Sequence, residues 1–219
     1  MNVKICCITS LHEANMALRA GASALGFVSE MPSGPGVISE EHIATIVGRL
    51  PAGTDAFLLT SRTEPDEIEA QVFRCRPSTV QLVDRLGPGV RADLRRRLPG
   101  VRVVQVVHVS GSSSVDEAIE SAEHSDAILL DSGRPKQAVR ELGGTGRAHD
   151  WEVSRRIVET VEIPVYLAGG LDAANVAEAI GTVRPFGVDV CSGVRTNGDL
   201  DGAKLGQFVS CAVAVKDGW

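Results

Sequence analysis

Three short turns rich in small residues follow apolar runs in the second half of the chain. They are Gly143-Gly144-Thr145-Gly146, Ala168-Gly169-Gly170-Leu171 and Cys191-Ser192-Gly193-Val194. Backbone amides can crowd around a phosphate only where glycine removes the side chain. Parallel strands that end in such turns bring these amides to one mouth of a sheet. The pattern therefore predicts a phosphate site formed by Gly144, Thr145, Gly146, Gly169, Gly170, Ser192 and Gly193.

The elements that must position these turns alternate eight times along the chain. Strands are predicted near Val3 to Ile8, Ala24 to Val28, Ala56 to Thr60, Thr79 to Val83, Val101 to Val109, Ala127 to Asp131, Val165 to Ala168 and Gly187 to Val190. Segments with helical spacing lie at Ser10 to Ala20, Ser39 to Leu50, Glu64 to Cys75, Gly89 to Leu98, Ser113 to Glu123, Trp151 to Val161, Asp172 to Ile180 and Asp201 to Val215. This alternation predicts an α/β fold with one (β/α)8 TIM barrel over residues 1–219. The alternative is an open doubly wound sheet, which usually has its glycine-rich turn after the first strand.

Composition favours a single intracellular domain. The chain has 219 residues, of which 43% are hydrophobic, and a formal net charge of -6, which argues against a nucleic-acid surface. We expect no membrane span, because no segment approaches about 20 apolar residues, and no leader, because Met1 to Cys6 enters a strand directly. The five cysteines lack metal-ligand spacing and suit a reducing, cytoplasmic compartment, so no metal site is predicted.

Two predicted strands end near side chains with acid–base chemistry. Asp131 is the last residue of an apolar strand, where desolvation would keep its carboxyl group protonated. Cys6 lies on the first strand, and Lys4, two residues earlier on the same face, would stabilise a thiolate there. The alternatives are a core thiol for Cys6 and a helix-capping or loop-anchoring carboxylate for Asp131.

Segments distributed over nearly the whole chain carry a family resemblance. They are Lys4-Ile5-Cys6 with Ile8-Thr9, Ala20-Gly21-Ala22 through Leu25-Gly26-Phe27-Val28, Val80-Gln81-Leu82, Leu129-Leu130-Asp131-Ser132, Gly143-Gly144-Thr145-Gly146 with Asp150-Trp151, Leu167 to Leu171 with Asn175-Val176, and Gly187-Val188-Asp189 with Ser192-Gly193-Val194. In these segments the chain resembles the phosphoribosylanthranilate isomerases of tryptophan biosynthesis. The resemblance implies an Amadori rearrangement of an N-linked ribose phosphate without metal or cofactor, with Cys6 as general base and Asp131 as general acid.

That chemistry needs one acid and one base. Opening a phosphoribosylamine ring requires a proton on the ring oxygen, and forming the enolamine requires removal of a proton from the neighbouring sugar carbon. The expected product of phosphoribosylanthranilate is the 1-deoxyribulose phosphate. Two alternatives remain open: the same chemistry on another N-ribosyl or sugar phosphate, and a non-catalytic protein that binds a phosphorylated ligand. We expect a monomer or homodimer.

The chain departs from the family pattern at three positions. Cys7 stands where the family usually has glycine, and strand alternation predicts that its side chain faces the surrounding helices. Gly36 lies about where the family has the arginine that receives the anthranilate carboxylate. Val83 stands where the family commonly has histidine.

The lost arginine raises the question of which cation replaces it. A charge-assisted pair contributes on the order of 1.5 to 3 kcal/mol, so a replacement is expected from Arg62 or Arg134, although each is also explained as a solvated loop charge. The remaining candidates for contact with substrate are polar residues in or beside the strands. They are Lys4, Gln81, His108 and Asp189. For His108 a structural hydrogen bond, and for Asp189 an internal polar network, are the alternatives.

Overall fold

A computed structural model describes residues 1–32, 34–132 and 150–215. Eight strands are present in chain order, each parallel to the next, and β1 pairs with β8 to close the barrel. Their bounds are β1 Asn2–Ile5, β2 Ala24–Val28, β3 Asp55–Thr60, β4 Thr79–Leu82, β5 Arg102–His108, β6 Ala127–Asp131, β7 Val165–Leu167 and β8 Gly187–Val190. The predicted TIM barrel is therefore confirmed, and the doubly wound alternative is wrong.

In the part of the chain that the structure describes, eight α-helices cover the outside of the barrel. They are α1 Leu11–Ala20, α2 Glu40–Val47, α3 Pro65–Cys75, α4 Val90–Arg97, α5 Ser113–Ala122, α6 Trp151–Thr160, α7 Val176–Val183 and α8 Gly202–Ala214. Several begin at the polar residues that the sequence suggested, because the side chain accepts a first-turn amide proton. Ser39 accepts from His42, and Asp150 accepts from Glu152. Within the described residues, no helix is both long and apolar enough to cross a membrane.

The predicted start of the seventh helix is wrong by four residues. The sequence placed it at Asp172, but α7 begins at Val176. The Asp172 carboxylate accepts from the amides of Ala174 and Asn175, which holds the intervening residues in a turn. The Asn175 side chain then donates to the carbonyl oxygen of Gly170 at 2.8 Å. This turn fixes the loop that follows β7.

Two apolar layers follow from the alternation of side chains along each strand. The outer layer lies between sheet and helices and includes Leu25, Leu58 and Phe208. The inner layer fills the barrel and includes Phe57, Val104 and Tyr166. In this inner layer the rings of Phe57 and Tyr166 pack edge to face, with their centroids 5.8 Å apart.

A small hairpin follows the barrel and was not predicted. A 3-10 turn, Ser192–Val194, leads into the antiparallel pair β9 Arg195–Thr196 and β10 Asp199–Leu200. Both strands have two residues, too few for a period-two pattern. The hairpin brings Arg195 back to the carboxyl end of β1.

Candidate active site

A cavity opens at the carboxyl ends of the barrel strands, with about 650 Å3 of empty volume. It brings together residues predicted from distant parts of the sequence. Those lining it are Cys6, Gln81, Asp131, Gly169, Gly170, Asp189 and Ser192. Barrel enzymes place their chemistry at this face, because loops from several strands converge there.

A buried ion pair forms the floor of the cavity. The Lys4 ammonium lies 2.9 Å from the Asp189 carboxylate and 5.1 Å from the centre of the Phe57 ring. Burial by itself lowers the pKa of Lys4, but the charges of Asp189 and Cys6 and the hydrogen bond with Asp189 together outweigh it, so the pKa is raised overall. Lys4 therefore keeps its positive charge. Asp189 has this ion pair inside the barrel, where the sequence left an internal polar network as the alternative to substrate contact.

Cys6 lies above this pair with a thiol that is readily ionised. Hydrogen bonding from the Cys7 thiol lowers the pKa of Cys6, and the Lys4 charge lowers it further, against the opposing effect of burial. Gly26 on the neighbouring strand makes room for the sulfur, since a Cβ there would lie 2.8 Å from Cys6 Sγ. The thiol is therefore placed and activated by β1 and β2.

The predicted direction of the Cys7 side chain is wrong. It lines the cavity instead of facing the helices, because the backbone leaves the strand at this residue with φ 63°. Strand alternation stops where the chain enters this left-handed conformation, so it could not predict the direction of the side chain. Predicted β1 also ran to Ile8, three residues beyond its observed end at Ile5.

Arg195 and Glu13 hold this bend, and sequence reasoning missed both. The Arg195 guanidinium donates to the carbonyl oxygens of Cys6 and Cys7 and to the Glu13 carboxylate. Glu13 in turn accepts from the amide of Thr9 at 2.8 Å. Burial raises the pKa of Glu13, but the hydrogen bonds from Arg195 and from the amides of Thr9 and Leu200, with the charge of Arg195, together outweigh it, so the pKa is lowered overall. The only sequence signal was an acidic residue on the buried face of α1.

The pKa of Asp131 shifts in the opposite direction to that of Cys6. Burial raises the pKa of its carboxyl group, against smaller opposing effects from His108 and the Ser132 amide. Ser132 N donates to Asp131 Oδ1 at 2.7 Å, which fixes the orientation of the carboxyl group. His108 lies opposite Asp131 in the strand register, and its Nε2 donates to the carbonyl oxygen of Val83 at 3.1 Å. His108 thus makes the structural hydrogen bond that the sequence left as an alternative.

The turns after β7 and β8 have the conformation expected of an anion cradle. Gly169 and Gly170 have φ of 84° and 67°. A Cβ at Gly193 would lie 2.0 Å from the Leu171 carbonyl oxygen, so only glycine fits where these two turns meet. Among the described residues, no hydrogen bond takes up the amide protons of Gly169 and Gly170. Ser192 lines the same end of the cavity. Four predicted residues lie outside the described part of the chain: Arg134, Gly144, Thr145 and Gly146.

Comparison with known proteins agrees with this geometry. A family model described as N-(5'phosphoribosyl)anthranilate (PRA) isomerase matches residues 3–211. The chain belongs to the phosphoribosylanthranilate isomerase family. The N-(5'-phosphoribosyl)anthranilate isomerase of Halobacterium salinarum is 36% identical over 217 residues, which are 98% of this chain and 97% of that protein.

Solved structures of phosphoribosylanthranilate isomerases superpose on nearly the whole chain. That of the Thermotoga maritima enzyme has a TM-score of 0.85 and 31% identity, and covers 98% of this chain and 99% of that one. Another, in complex with reduced 1-(o-carboxyphenylamino)-1-deoxyribulose 5-phosphate, has a TM-score of 0.82 and 29% identity, with the same coverage. The predicted family resemblance is thus confirmed.

The other end of the cavity departs from the phosphoribosylanthranilate isomerase pattern. It is apolar and is lined by Val28, Met31, Pro35, Leu59 and Val83. Arg62 is not part of this lining. It lies in a neighbouring cleft, where its guanidinium pairs with Glu40 at 3.5 Å and with Glu67 at 3.7 Å.

Gln81 is the polar side chain among these apolar residues. Its Oε1 is buried and has no hydrogen-bond partner within residues 1–32, 34–132 and 150–215. In the same described ranges, no three His, Cys, Asp or Glu side chains are arranged to hold a metal ion.

Proposed function

We propose that this protein catalyses the Amadori rearrangement of N-(5'-phosphoribosyl)anthranilate to the 1-deoxyribulose phosphate. The observation that carries the proposal is the pairing of Cys6 and Asp131 in one cavity, with pKa shifts in opposite directions. These shifts bring the two pKa values towards each other, which favours a thiolate base and a protonated acid at the same pH. Family membership supports the same reaction.

The two ends of the cavity give the substrate one orientation. The phosphate binds the turns at Gly169, Gly170, Ser192 and Gly193. The aromatic ring then lies against Met31, Leu59 and Val83. The ribose between them reaches Cys6 and Asp131. Gln81 has a free amide oxygen for a sugar hydroxyl or the linking amine.

Catalysis then needs one acid step and one base step, followed by tautomerisation. Asp131 donates its proton to the ring oxygen, and the bond between this oxygen and C1 breaks, leaving a protonated imine (iminium) of the aromatic amine. The Cys6 thiolate removes the proton from C2, and the electron pair shifts to give the enolamine. The enolamine loses its hydroxyl proton at O2 and gains a proton at C1, which yields the ketone. No atoms are gained or lost overall, as an isomerisation requires.

The ion pair below the substrate acts on both the base and the acid, since Lys4 lowers the pKa values of Cys6 and Asp131 and Asp189 raises them. The charge of Lys4 lowers the pKa of Cys6, whereas Asp189 limits this effect and neutralises the buried ammonium group. We assign Lys4 and Asp189 to positioning and electrostatic roles. His108 lies beside Asp131 and steadies the strand end through the Val83 carbonyl group.

Replacement of the acid and the base tests the proposal. Cys6→Ser and Asp131→Asn should each lower kcat with phosphoribosylanthranilate by about 100-fold or more, with little change in substrate affinity. The wild-type gene should also rescue a tryptophan auxotroph that lacks this isomerase. Cys211→Ser on α8 is the matched control for the thiol and should keep full activity.

Three results would separate the alternatives. Near-normal turnover in either variant would remove that residue from the mechanism. Tight binding of a phosphorylated ligand by the wild-type protein without turnover would indicate a binding protein. Poor turnover of phosphoribosylanthranilate, with good turnover of an N-ribosyl phosphate whose amine lacks a carboxylate, would indicate a different substrate.

A further inference from the structure

Three of the five cysteines of the chain line the same cavity. They are Cys6 and Cys7 at the end of β1 and Cys191 directly after β8. The other two, Cys75 and Cys211, belong to helices α3 and α8. The mechanism uses only the thiol of Cys6, so the two additional thiols need an explanation.

Cys7 occupies a conformation that favours glycine. Its φ of 63° strains an L-residue, and glycine would avoid this strain. Its side chain forms hydrogen bonds with both Cys6 and Cys191, and the bond to Cys191 contributes most to raising the pKa of Cys7. Cys7 therefore keeps its proton and links the other two thiols.

Cys6 and Cys191 directly follow two paired strands, β1 and β8. Ile5 pairs with Val190 in the parallel register, and Cys6 N donates to the Val190 carbonyl oxygen at 2.8 Å, so Cys191 is the next residue across from Cys6. Neighbouring strands lie about 4.8 Å apart, within the range of about 4.4 to 6.8 Å between the Cα atoms of disulfides. A bond between Cys6 and Cys7 would instead close a strained ring around their shared peptide group.

We propose that Cys6 and Cys191 form a reversible, peroxide-sensitive thiol pair. Hydrogen peroxide is the oxidant. The Cys6 thiolate attacks one peroxide oxygen, the O–O bond breaks, and hydroxide leaves and takes up a proton to form water. The Cys191 sulfur then attacks the sulfur of the Cys6 sulfenic acid. Water leaves, and a disulfide joins the ends of β1 and β8.

The location of the pair gives the disulfide two consequences. It removes the thiolate that abstracts the substrate proton, so activity is lost; this consequence rests on the proposed function. It also traps the sulfenic acid before a second peroxide can convert it to the irreversible sulfinic acid. Cys191 is half-buried at the cavity mouth, so a thiol reductant reaches the bond and restores both groups.

The test is peroxide treatment of the purified protein, followed by intact-mass and peptide mass spectrometry. The wild-type protein should lose two hydrogen atoms in mass and yield a peptide pair joined through Cys6 and Cys191. Reductant should reverse the change and restore activity. Cys191→Ser should instead accumulate two oxygen atoms on Cys6, and its recovery by reductant should fall at least about fivefold below that of wild type.

Cys211→Ser is the matched control and should behave as the wild-type protein, because its sulfur lies on the outer helix α8. A disulfide through Cys7, or wild-type recovery in Cys191→Ser, would overturn the assignment of the pair. Oxygen added to Cys6 without any disulfide would overturn it as well. The mass measurements do not depend on turnover, so a disulfide that forms without loss of activity would support the thiol pair and contradict the proposed function.

Discussion

The two ends of the cavity differ in whether backbone conformation or side chains determine their shape. At the phosphate end, the backbone sets the site: Gly169 and Gly170 have positive φ, and Gly193 lies against the Leu171 carbonyl group. At the aglycone end, side chains set it, and the described lining is apolar. A backbone site admits few substitutions, whereas a side-chain site can be rebuilt. This difference explains why the chain keeps the family's glycine turns and departs from the family at Cys7, Gly36 and Val83.

The departures at Cys7 and Gly36 are physically coupled. A Cβ at Gly36 would lie 2.6 Å from the Cβ of Cys7. Cysteine at position 7 and a side chain at position 36 therefore exclude each other in this backbone. Glycine at position 36 is thus coupled to the thiol that Cys7 adds to the cavity.

The largest expected effect comes from the phosphate end. Gly169→Ala should raise the KM for a phosphorylated substrate by about tenfold to 100-fold, because the new methyl group would press on Ser132 N at 2.9 Å and strain a backbone with φ 84°. Steady-state kinetics measures this change. Gly53→Ala is the matched control, since Gly53 has φ 86° but open space around it and precedes β3 at the other end of the barrel.

The two variants separate strain from ligand binding. Both should lose on the order of 1 kcal/mol of stability, measured as a lower midpoint of denaturant unfolding. Only Gly169→Ala should change KM. Equal kinetics in the two variants would contradict a phosphate site at this turn.

The aglycone end is tested by restoring the arginine. Gly36→Arg alone should lower the melting temperature and the activity, because its Cβ meets Cys7 and its φ of 76° disfavours a side chain. Cys7→Gly/Gly36→Arg removes the clash with the Cys7 Cβ but not the strain of the positive φ at residue 36, so it should recover part of the stability. It should lower the KM for phosphoribosylanthranilate by about tenfold relative to the single arginine variant. Cys7→Gly alone is the control that shows how much of the change in stability and KM comes from position 7.

The specificity of this recovery decides its meaning. If the arginine at position 36 binds the carboxylate, the double variant should have a lower KM for phosphoribosylanthranilate and an unchanged KM for an analogue without the carboxylate. An equal gain for both substrates would mean that the double variant only repairs the fold. No gain in KM would mean that the loop places residue 36 away from the aglycone.

The same contrast explains which features the sequence could predict. The barrel and the glycine turns follow from local patterns, namely eight alternations and small residues at strand ends. The direction of Cys7 depends on one backbone dihedral angle, which no periodic pattern encodes. The clamp between Arg195 and Glu13 joins residues 182 positions apart. The exclusion between Cys7 and Gly36 likewise exists only in the folded chain.

The smallest expected effect concerns the buried ion pair between Lys4 and Asp189, below the two ends of the cavity. Asp189 raises both the pKa of Cys6 and that of Asp131 through its negative charge. In Asp189→Asn this charge is gone, so both pKa values should fall. Cys6 must be a thiolate, so activity rises as pH increases through its pKa; Asp131 must be protonated, so activity falls as pH increases through its pKa. Both limbs of the profile of kcat/KM against pH should therefore move to lower pH, by about one unit or less.

Asp201→Asn is the control for this shift. Asp201 caps α8 on the surface, where its carboxylate accepts from the amides of Ala203 and Lys204. Asparagine caps a helix about as well as aspartate, so this replacement should change stability little and leave the pH profile in place. Limbs that move in opposite directions in Asp189→Asn would contradict the assignment of base and acid, because removal of one negative charge lowers the pKa of every group that it faces. If the profile does not move, the charge of Asp189 does not influence the pKa values of Cys6 and Asp131. Its role would then be limited to the ion pair with Lys4.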